Sequence, residues 1–135
     1  MILNTLIVIF TFFFMEFVAW FAHKYVMHGF LWFLHKDHHQ VDHNKKFQKN
    51  DYFFLIFAIP SILCFVYGAE NYSFLFFIGI GIVLYGLAYF IIHEIIIHRR
   101  LPPPSKTKNK YIIAIRKAHK IHHKNRNKEH CINFG

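Results

Sequence analysis

Three apolar stretches, each long enough to cross a lipid bilayer, constrain the fold of this chain more than any other feature. They cover residues 2–22, 52–69 and 73–92. At about 1.5 Å per helical residue, a stretch of this length matches the roughly 30 Å thickness of the hydrocarbon core. Pro60 lies inside the second stretch, where we expect a kink. Residues 68–72 separate the second and third stretches, which predicts a tight antiparallel hairpin.

The basic residues indicate how these spans are oriented. All 16 Lys and Arg lie in two segments, Lys24–Lys49 and Arg99–Lys128, and the formal net charge of the chain is +9. Three spans place both segments on one side of the membrane, and the positive-inside rule makes that side cytoplasmic. The first apolar stretch is too long for the core of a signal peptide, so we predict a retained transmembrane helix.

The segments on the basic side are also expected to be helical. The run at residues 30–34 is too short to span a membrane, but Trp32 suits it to the interface. Residues 109–124 are predicted to form a basic amphipathic helix on anionic lipid. Its apolar face carries Tyr111, Ala114, Ile115, Ala118 and Ile121. A break at residues 101–104 separates this helix from the third span.

The predicted fold class is therefore an all-α integral membrane protein. It has about three transmembrane helices plus cytoplasmic or interfacial helices, within one domain of residues 1–135. Cys64 lies in an apolar run and Cys131 in a polar segment, so both are expected to be free thiols.

The histidines follow two repeated spacings. Of the 12 histidines, ten form an HxxxxH pair, an HxxHH triplet, and then the same pair and triplet again: His23, His28, His35, His38, His39, His93, His98, His119, His122 and His123. Positions i, i+3 and i+4 share one helical face, so each triplet is expected to aim three imidazoles at one region. Members of an i, i+5 pair lie about 140° apart on an ideal α-helix. They should therefore reach different ions, or the helix should end between them.

Ten imidazoles exceed what one ion can bind, so a site for two metal ions is the economical interpretation. A single histidine at a membrane boundary is usually an interfacial polar residue, and histidines also occur in solvated basic segments. Neither alternative explains the repeated spacing or the delivery of all four groups to one side. His43 and His130 lie outside the repeated spacings and are expected in loops.

The identity of the metal does not follow from the spacing, because imidazole binds Zn, Cu, Fe and Ni alike. The pair His93 and His98 is close to the HExxH of zinc proteases, but it has one residue too many. A metal transporter would bury polar ligands near mid-bilayer, whereas these ligands gather at the membrane edge. A non-enzymatic membrane metal carrier or sensor remains an alternative to an enzyme.

With these residues in view, the chain resembles the bacterial-type β-carotene hydroxylases of the fatty acid hydroxylase and sterol desaturase superfamily, which are histidine-box membrane enzymes. The most specific likeness is AHKYVMHG at residues 22–29 leading into HKDHH at residues 35–39. The other matching stretches are residues 15–16, the run around Trp32, and residues 50–51, 93–102, 118–123 and 128–135. The likeness covers nearly the whole chain.

The resemblance implies a non-haem di-iron monooxygenase. Such an enzyme would use O2 to hydroxylate the β-ionone rings of β-carotene at the 3-position, giving β-cryptoxanthin and then zeaxanthin. It implies two iron ions held by the ten repeated histidines, and a location in the bacterial inner membrane with the metal site on the cytoplasmic side. A carotenoid ketolase, or a fatty acid or sterol hydroxylase or desaturase, is the runner-up.

An external electron donor is also implied. The chain has no haem-attachment motif and no cysteine cluster for an iron–sulfur centre. A ferredoxin or a similar protein is the expected donor, and the basic face would suit an acidic one. Membrane lipid and the lipophilic carotenoid are the other expected partners.

A substrate groove is predicted along the third span. Gly79, Gly86 and His93 are spaced by seven, and Tyr89 lies between the last two. The glycines would leave room for a flat polyene that leads to the metal. The alternative is that they only allow neighbouring helices to pack closely.

Several acidic side chains are candidates to support the ligands. Glu16 lies seven residues before His23 inside a predicted span, where a charge needs a partner or a proton. It is therefore a candidate for a hydrogen bond that supports a ligand, or for a proton relay. Plain interhelical bonding is its alternative. Asp37, Asp51 and Glu94 are candidates to orient ligating imidazoles through the ring N–H that faces away from the metal, and solvated acids otherwise.

Two arginines follow the second HxxxxH pair. Arg99 and Arg100 lie just beyond the end of the third predicted span. We expect them to hold lipid headgroups rather than to take part in chemistry.

Overall fold

The computed structural model describes residues 1–42, 47–100 and 107–134. Its α-helices are α1 Ile2–Phe21, α2 Trp32–His39, α3 Phe54–Gly68, α4 Phe74–Tyr89 and α5 Lys110–Lys124. Two π-helical segments, Ala22–Phe30 and Phe90–Ile97, follow α1 and α4, and a 3-10 turn at Lys49–Phe53 precedes α3. No β-strand occurs in the described ranges, which confirms the all-α prediction. His43 and the predicted break at residues 101–104 lie outside them.

Three helices are long and apolar enough to span a membrane. They run over Ile2–Phe30, Lys49–Gly68 and Phe74–Ile97. The three predicted spans are thereby confirmed. The first and third helices are longer than predicted, because their histidine-bearing ends continue as π turns. Pro60 lies inside α3, which runs on through it.

The chain is divided into two compact units. The first comprises Met1–Ala19 and Tyr52–Ala88, and the second comprises Trp20–Asp51 and Tyr89–Gly135. The single domain of residues 1–135 stays a prediction.

In the first unit, α1, α3 and α4 pack through small residues. A Cβ added at Gly81 of α4 would lie 2.6 Å from the Thr11 Cβ and 2.9 Å from the Val8 carbonyl oxygen of α1. A Cβ added at Gly68 would lie 2.9 Å from the Phe76 Cα. The backbones therefore approach closely at both places, which only glycine permits. The contact at Gly68 forms the tight hairpin expected between the second and third spans.

The two glycines of the predicted groove differ. A Cβ added at Gly79 would lie 3.0 Å from Phe65 Cε1 and 3.2 Å from the Cys64 Cβ. At Gly79 the structure therefore contradicts a groove and favours close helix packing, because α3 fills the space. A Cβ added at Gly86 would meet open space, so a groove there stays a prediction.

Glu16 has a partner within the same unit. The Tyr85 hydroxyl donates a hydrogen bond to Glu16 Oε2 over 3.0 Å. Tyr85 is buried beside Met15, Ala19 and Ile82. The carboxyl group expected to need a partner inside the span thus has an interhelical one.

The second unit is filled by histidine side chains. Helix α5 begins where the Asn109 side chain accepts hydrogen bonds from the backbone N–H groups of Tyr111, at 2.9 Å, and Ile112, at 3.3 Å. Tyr111 and Ile121, on the predicted apolar face, stay exposed to the surroundings, whereas His119 and His122 are buried. The Arg116 side chain donates to the Ile96 carbonyl over 2.8 Å and so ties α5 to the π-helical segment Phe90–Ile97.

Candidate metal centre

The two HxxxxH pairs lie on π turns. The His98 N–H donates to the His93 carbonyl over 2.9 Å, and the Leu31 N–H donates to the Val26 carbonyl over 3.0 Å. In a π-helix each N–H bonds to the carbonyl five residues earlier, so side chains i and i+5 come one above the other. The ring centroids are 5.2 Å apart in the pair His23 and His28 and 4.6 Å apart in the pair His93 and His98. The expected separation of about 140° is wrong, because it assumed an α-helical turn.

Nine of the ten histidines form two groups in which one nitrogen of each ring lies within 4.8 Å of those of all the others. We call them the five-histidine group and the four-histidine group. The five-histidine group consists of His23, His28, His35, His39 and His122. The four-histidine group consists of His38, His98, His119 and His123.

Each HxxHH triplet is divided between the two groups. His35 and His39 belong to the five-histidine group, whereas His38 belongs to the four-histidine group. In α5, His119 and His123 belong to the four-histidine group, whereas His122 belongs to the five-histidine group. The expectation that all three rings aim at one region is wrong, because positions i+3 and i+4 point about 100° apart around a helix of 3.6 residues per turn.

His93 lies beside the four-histidine group. Its ring centroid is 4.6 Å from that of His98 and 4.8 Å from that of His119. On its other side the ring stacks on Tyr89, with centroids 4.8 Å apart. The structure thus brings nine predicted ligands into the groups and the tenth next to them. His130 is exposed in the segment after α5, as expected of a loop residue.

Backbone carbonyls orient most of the five-histidine group. They belong to the segment Asn125–Phe134, which follows α5 and which we call the carbonyl strap. The Nδ1 atoms lie 2.8 to 3.3 Å from strap oxygens, in the pairs His23 with Phe134, His28 with Lys128, His39 with Asn125 and His122 with Ile132. A carbonyl oxygen can only accept, so each Nδ1 carries the proton and each Nε2 keeps its lone pair.

Two of these lone pairs face each other. His28 Nε2 lies 3.1 Å from His122 Nε2. Because both rings are protonated on Nδ1, this contact cannot be a hydrogen bond, and two lone pairs at this distance repel unless a cation binds them. The buried Nε2 atoms of His23, His39 and His123 also have no hydrogen-bond partner among the described residues. No protein donor satisfies these buried Nε2 lone pairs among the described residues, so the donor set fits metal ions.

The electrostatics keep buried imidazoles of both groups neutral. Burial, the largest cause, and the neighbouring rings lower the pKa of His35 to about 2, that of His98 to about 3 and that of His123 to about 2. Burial lowers the pKa of His122 to about 4 although the Ile132 carbonyl opposes it. Neutral imidazole is the form that binds metal ions. The lone pairs therefore stay available at physiological pH.

Side chains rather than carbonyls orient rings next to and within the four-histidine group. His38 Nδ1 lies 2.9 Å from Gln48 Oε1, and His93 Nδ1 lies 2.7 Å from Glu94 Oε1. The guanidinium of Arg100 joins these two acceptors. Its Nη2 donates to Gln48 Oε1 over 2.7 Å, and its Nε lies 2.8 Å from Glu94 Oε2.

Arg100 also pairs with Asp51 over 2.8 Å. The prediction that Arg100 holds a lipid headgroup is wrong, because three polar side chains already hold its guanidinium. Arg99 is exposed, with a φ of 56°. Its predicted contact with lipid stays a prediction.

The three candidate carboxylates have different partners. Glu94 contacts an imidazole, as the sequence predicts. Asp37 instead accepts from the backbone N–H of Asn50 over 3.4 Å, and Asp51 accepts from that of Gln48 over 3.0 Å. Within the described ranges neither contacts an imidazole. Asp37 and Asp51 instead shape the turn whose amide side chains contact imidazoles.

Gln48 and Asn50 also orient imidazoles, which the sequence does not predict. Asn50 Oδ1 lies 2.6 Å from His35 Nδ1 and Gln48 Oε1 lies beside His38. The available signal was a cluster of amide and acidic residues directly before an apolar span. Amide oxygens orient imidazoles as carboxylates do.

Known proteins that are similar to this chain identify its family. The family model for fatty acid hydroxylases matches residues 8–135. The chain is similar to the β-carotene hydroxylase of Pantoea ananas, with 40% identity over 132 residues, 98% of this chain and 75% of the relative. It is also similar to the β-carotene hydroxylase of Paracoccus sp. (strain PC1), with 37% identity over 131 residues, 96% of this chain and 80% of the relative.

A plant relative shares the same region. The chloroplastic β-carotene 3-hydroxylase 2 of Arabidopsis thaliana is 34% identical over 113 residues, 81% of this chain and 37% of the relative. No solved structure matches the chain significantly. The family match covers most of the residues, including every histidine of both groups. This chain belongs to the fatty acid hydroxylase family.

Proposed function

We propose that this protein is a non-haem di-iron β-carotene 3-hydroxylase. As a member of its family it is a membrane-embedded, hydroxylase-type oxidoreductase. The proposal adds the substrate, the metal and the product. β-Carotene would be hydroxylated on one ionone ring to β-cryptoxanthin and on the second to zeaxanthin.

The observation that carries the proposal is the pair of histidine groups. Nine buried or half-buried imidazoles point nitrogen atoms into two clusters, and His28 and His122 direct Nε2 lone pairs at each other. Two groups suit two ions, with His93 as a further ligand beside the four-histidine group. All ten repeated histidines are proposed ligands.

Iron is the proposed metal because the reaction needs a redox-active ion. Each hydroxylation consumes the carotene C–H, one O2, two electrons and two protons, and yields the C–OH group and one water. Bound iron supplies the one-electron chemistry that O2 activation requires and that zinc lacks. The residues of the chain hold neutral imidazoles in place and bury the Nε2 atoms of His23, His39 and His123.

The proposed setting is the bacterial inner membrane, with both histidine groups on the cytoplasmic side. The distribution of Lys and Arg supports this orientation. The carotenoid would reach the site from the lipid, and the open space at Gly86 supports an approach along α4. A ferredoxin or a similar acidic donor would supply electrons at the basic face.

The test combines product and metal analysis in one preparation. Cells that make β-carotene should accumulate zeaxanthin when they express this chain, and the purified protein should contain about two iron ions per chain. His122→Ala should abolish the product, whereas Lys120→Ala, an exposed neighbour on the same helix, should not. Unaltered carotene would overturn the proposal. Ketolated carotenoids or hydroxylated fatty acids would assign the site to the runner-up activities instead.

A further inference from the structure

We infer that the two metal positions are held by two separate devices, the carbonyl strap for the five-histidine group and Arg100 for the four-histidine group. The inference rests on the proposed two-metal site and goes beyond it by assigning positioning roles to residues that bind no metal. It implies that either position can be emptied while the other stays filled.

The carbonyl strap orients four of the five rings in its group through backbone oxygens. Its own shape depends on Asn125, whose side-chain oxygen accepts from the Asn127 N–H over 3.1 Å and whose amide donates to the Glu129 carbonyl. Gln40 anchors it from outside by donating to the Arg126 carbonyl over 2.9 Å. The strap thus has a fixed conformation that presents its carbonyls to one group.

The strap does not serve the four-histidine group. Among the described residues, no ring of that group makes a hydrogen bond to it. The acceptors beside that group are Gln48 and Glu94 instead, and both are bound by Arg100. A planar guanidinium can hold an amide oxygen and a carboxylate at the same time in a fixed geometry. Arg100 therefore holds together Gln48, which orients His38, and Glu94, which orients His93.

The two devices share no residue. Asn50, which orients His35, is the one acceptor of the five-histidine group outside the strap, and it lies on the turn that Arg100 contacts through Gln48 and Asp51. The other four rings of that group take their acceptors from the strap. Partners that orient metal-binding histidines typically contribute about 10–100-fold in metal affinity. Loss of the strap should therefore weaken the binding of one ion, and loss of Arg100 should weaken the binding of the other.

Cobalt binding to the purified, metal-free protein in detergent tests this without relying on activity. The wild-type chain should bind about two Co2+ per chain. A chain that ends at Lys124, and so lacks the strap, should keep about one. Adding His119→Ala to that chain should remove the remaining ion, whereas adding His35→Ala should leave it in place.

A milder variant covers the case in which the shortened chain does not fold. Asn125→Ala keeps the carbonyl that His39 uses but removes the side-chain bonds that shape the strap. It should lower the affinity for one Co2+ by about 10-fold or more and leave the affinity for the other unchanged.

The arginine variants supply the second half of the test. Arg100→Ala and Arg100→Lys should both lower the affinity for one Co2+ by about 10–100-fold. Lysine keeps the charge, but it cannot hold two acceptors at once as the planar guanidinium does. Arg99→Ala, its exposed neighbour, should bind both ions as the wild type does. The absorption spectrum of the Co2+ that remains in Arg100→Ala should differ from that of the Co2+ that remains in Asn125→Ala.

Simultaneous loss of both ions in either variant would overturn the inference, and so would full retention of both. Failure of the proposed function has a different signature. In that case the wild-type chain gives no hydroxylated carotenoid, while its Co2+ stoichiometry and the separate responses of the two variants are still measured.

Discussion

His38 and His122, the middle rings of the two HxxHH triplets, are exchanged between the two histidine groups. They are also the most completely buried large side chains of the described residues, with 2% and 0% of their surface exposed. Each repeat of the spacing pattern thus contributes one ring to the group that the other repeat mainly builds. The repeat in the sequence corresponds to two interlocked sets of proposed ligands rather than to two separate ones.

The exchange predicts which variants share a phenotype. His122→Ala should lose the same metal ion as His35→Ala, although His122 shares its helix with His119 and His123. The spectrum of the ion that remains should match between these two variants and differ from that of His119→Ala. A match between His122→Ala and His119→Ala would contradict the exchange. Lys120→Ala serves as the control on the same helix.

Glu94→Gln should weaken metal binding next to the four-histidine group. The change removes the charge that faces Arg100 and weakens the acceptor for His93 Nδ1. We expect a loss of about 10–100-fold in metal affinity with little change at the five-histidine group. Metal titration of the purified protein measures this. Glu129→Gln, an exposed carboxylate in the same unit, is the control, and equal affinities in the two variants would exclude a role for Glu94.

Tyr85→Phe should destabilise the first unit. It leaves Glu16 without its phenolic donor in an apolar environment, where an unmet polar group costs about 1–3 kcal/mol. The thermal midpoint in detergent should fall, whereas Tyr67→Phe, at an exposed tyrosine, should leave it unchanged. Glu16→Gln tests the proton-relay prediction separately. Wild-type iron content and turnover in that variant would exclude a relay.

Alanine substitutions at two glycines of α4 should change the free energy of unfolding in opposite directions. Gly81→Ala forces a methyl group against Thr11 and the Val8 carbonyl, so we expect a loss of about 1–3 kcal/mol. Gly86→Ala enters open space in a helix and should stabilise by about 0.5–1 kcal/mol. Unfolding in detergent measures both, and destabilisation at Gly86 would show that its surroundings are not open.

A larger residue at Gly86 tests the substrate groove. Gly86→Leu should reduce carotene turnover while iron content and stability stay close to those of the wild type. Gly86→Ala, the smaller substitution at the same position, provides the comparison. A folded, metal-loaded Gly86→Leu protein with unchanged turnover would exclude the groove.

The spans and the amphipathic helix could be predicted from the sequence because their lengths and periodicities arise locally. The π turns could not, since nothing in residues 22–30 or 90–97 forbids an α-helix. The spacing of five between His93 and His98 was nevertheless the signal, because a π turn is the helical geometry that stacks such a pair. A period of 3.6 residues per turn predicts the wrong separation for this pair.

The orienting partners were harder to predict than the ligands. The strap uses backbone carbonyls, which every residue type has, so no pattern of side chains marks them. The sequence predicts a lipid contact for Arg100, because the end of a span is a typical position for a cation that binds headgroups. Its real partners, Gln48 and Glu94, come from segments that only the folded chain brings together.

The exchange of His38 and His122 also predicts an order of events during biosynthesis. A nascent chain that has exposed only its first pair and triplet offers four rings to the five-histidine group and a single ring, His38, to the other. It lacks His122 and the whole carbonyl strap until α5 and the residues after it have left the ribosome. We therefore expect metal incorporation to wait until α5 and the strap have been synthesised, so that a chain interrupted before α5 binds neither ion tightly.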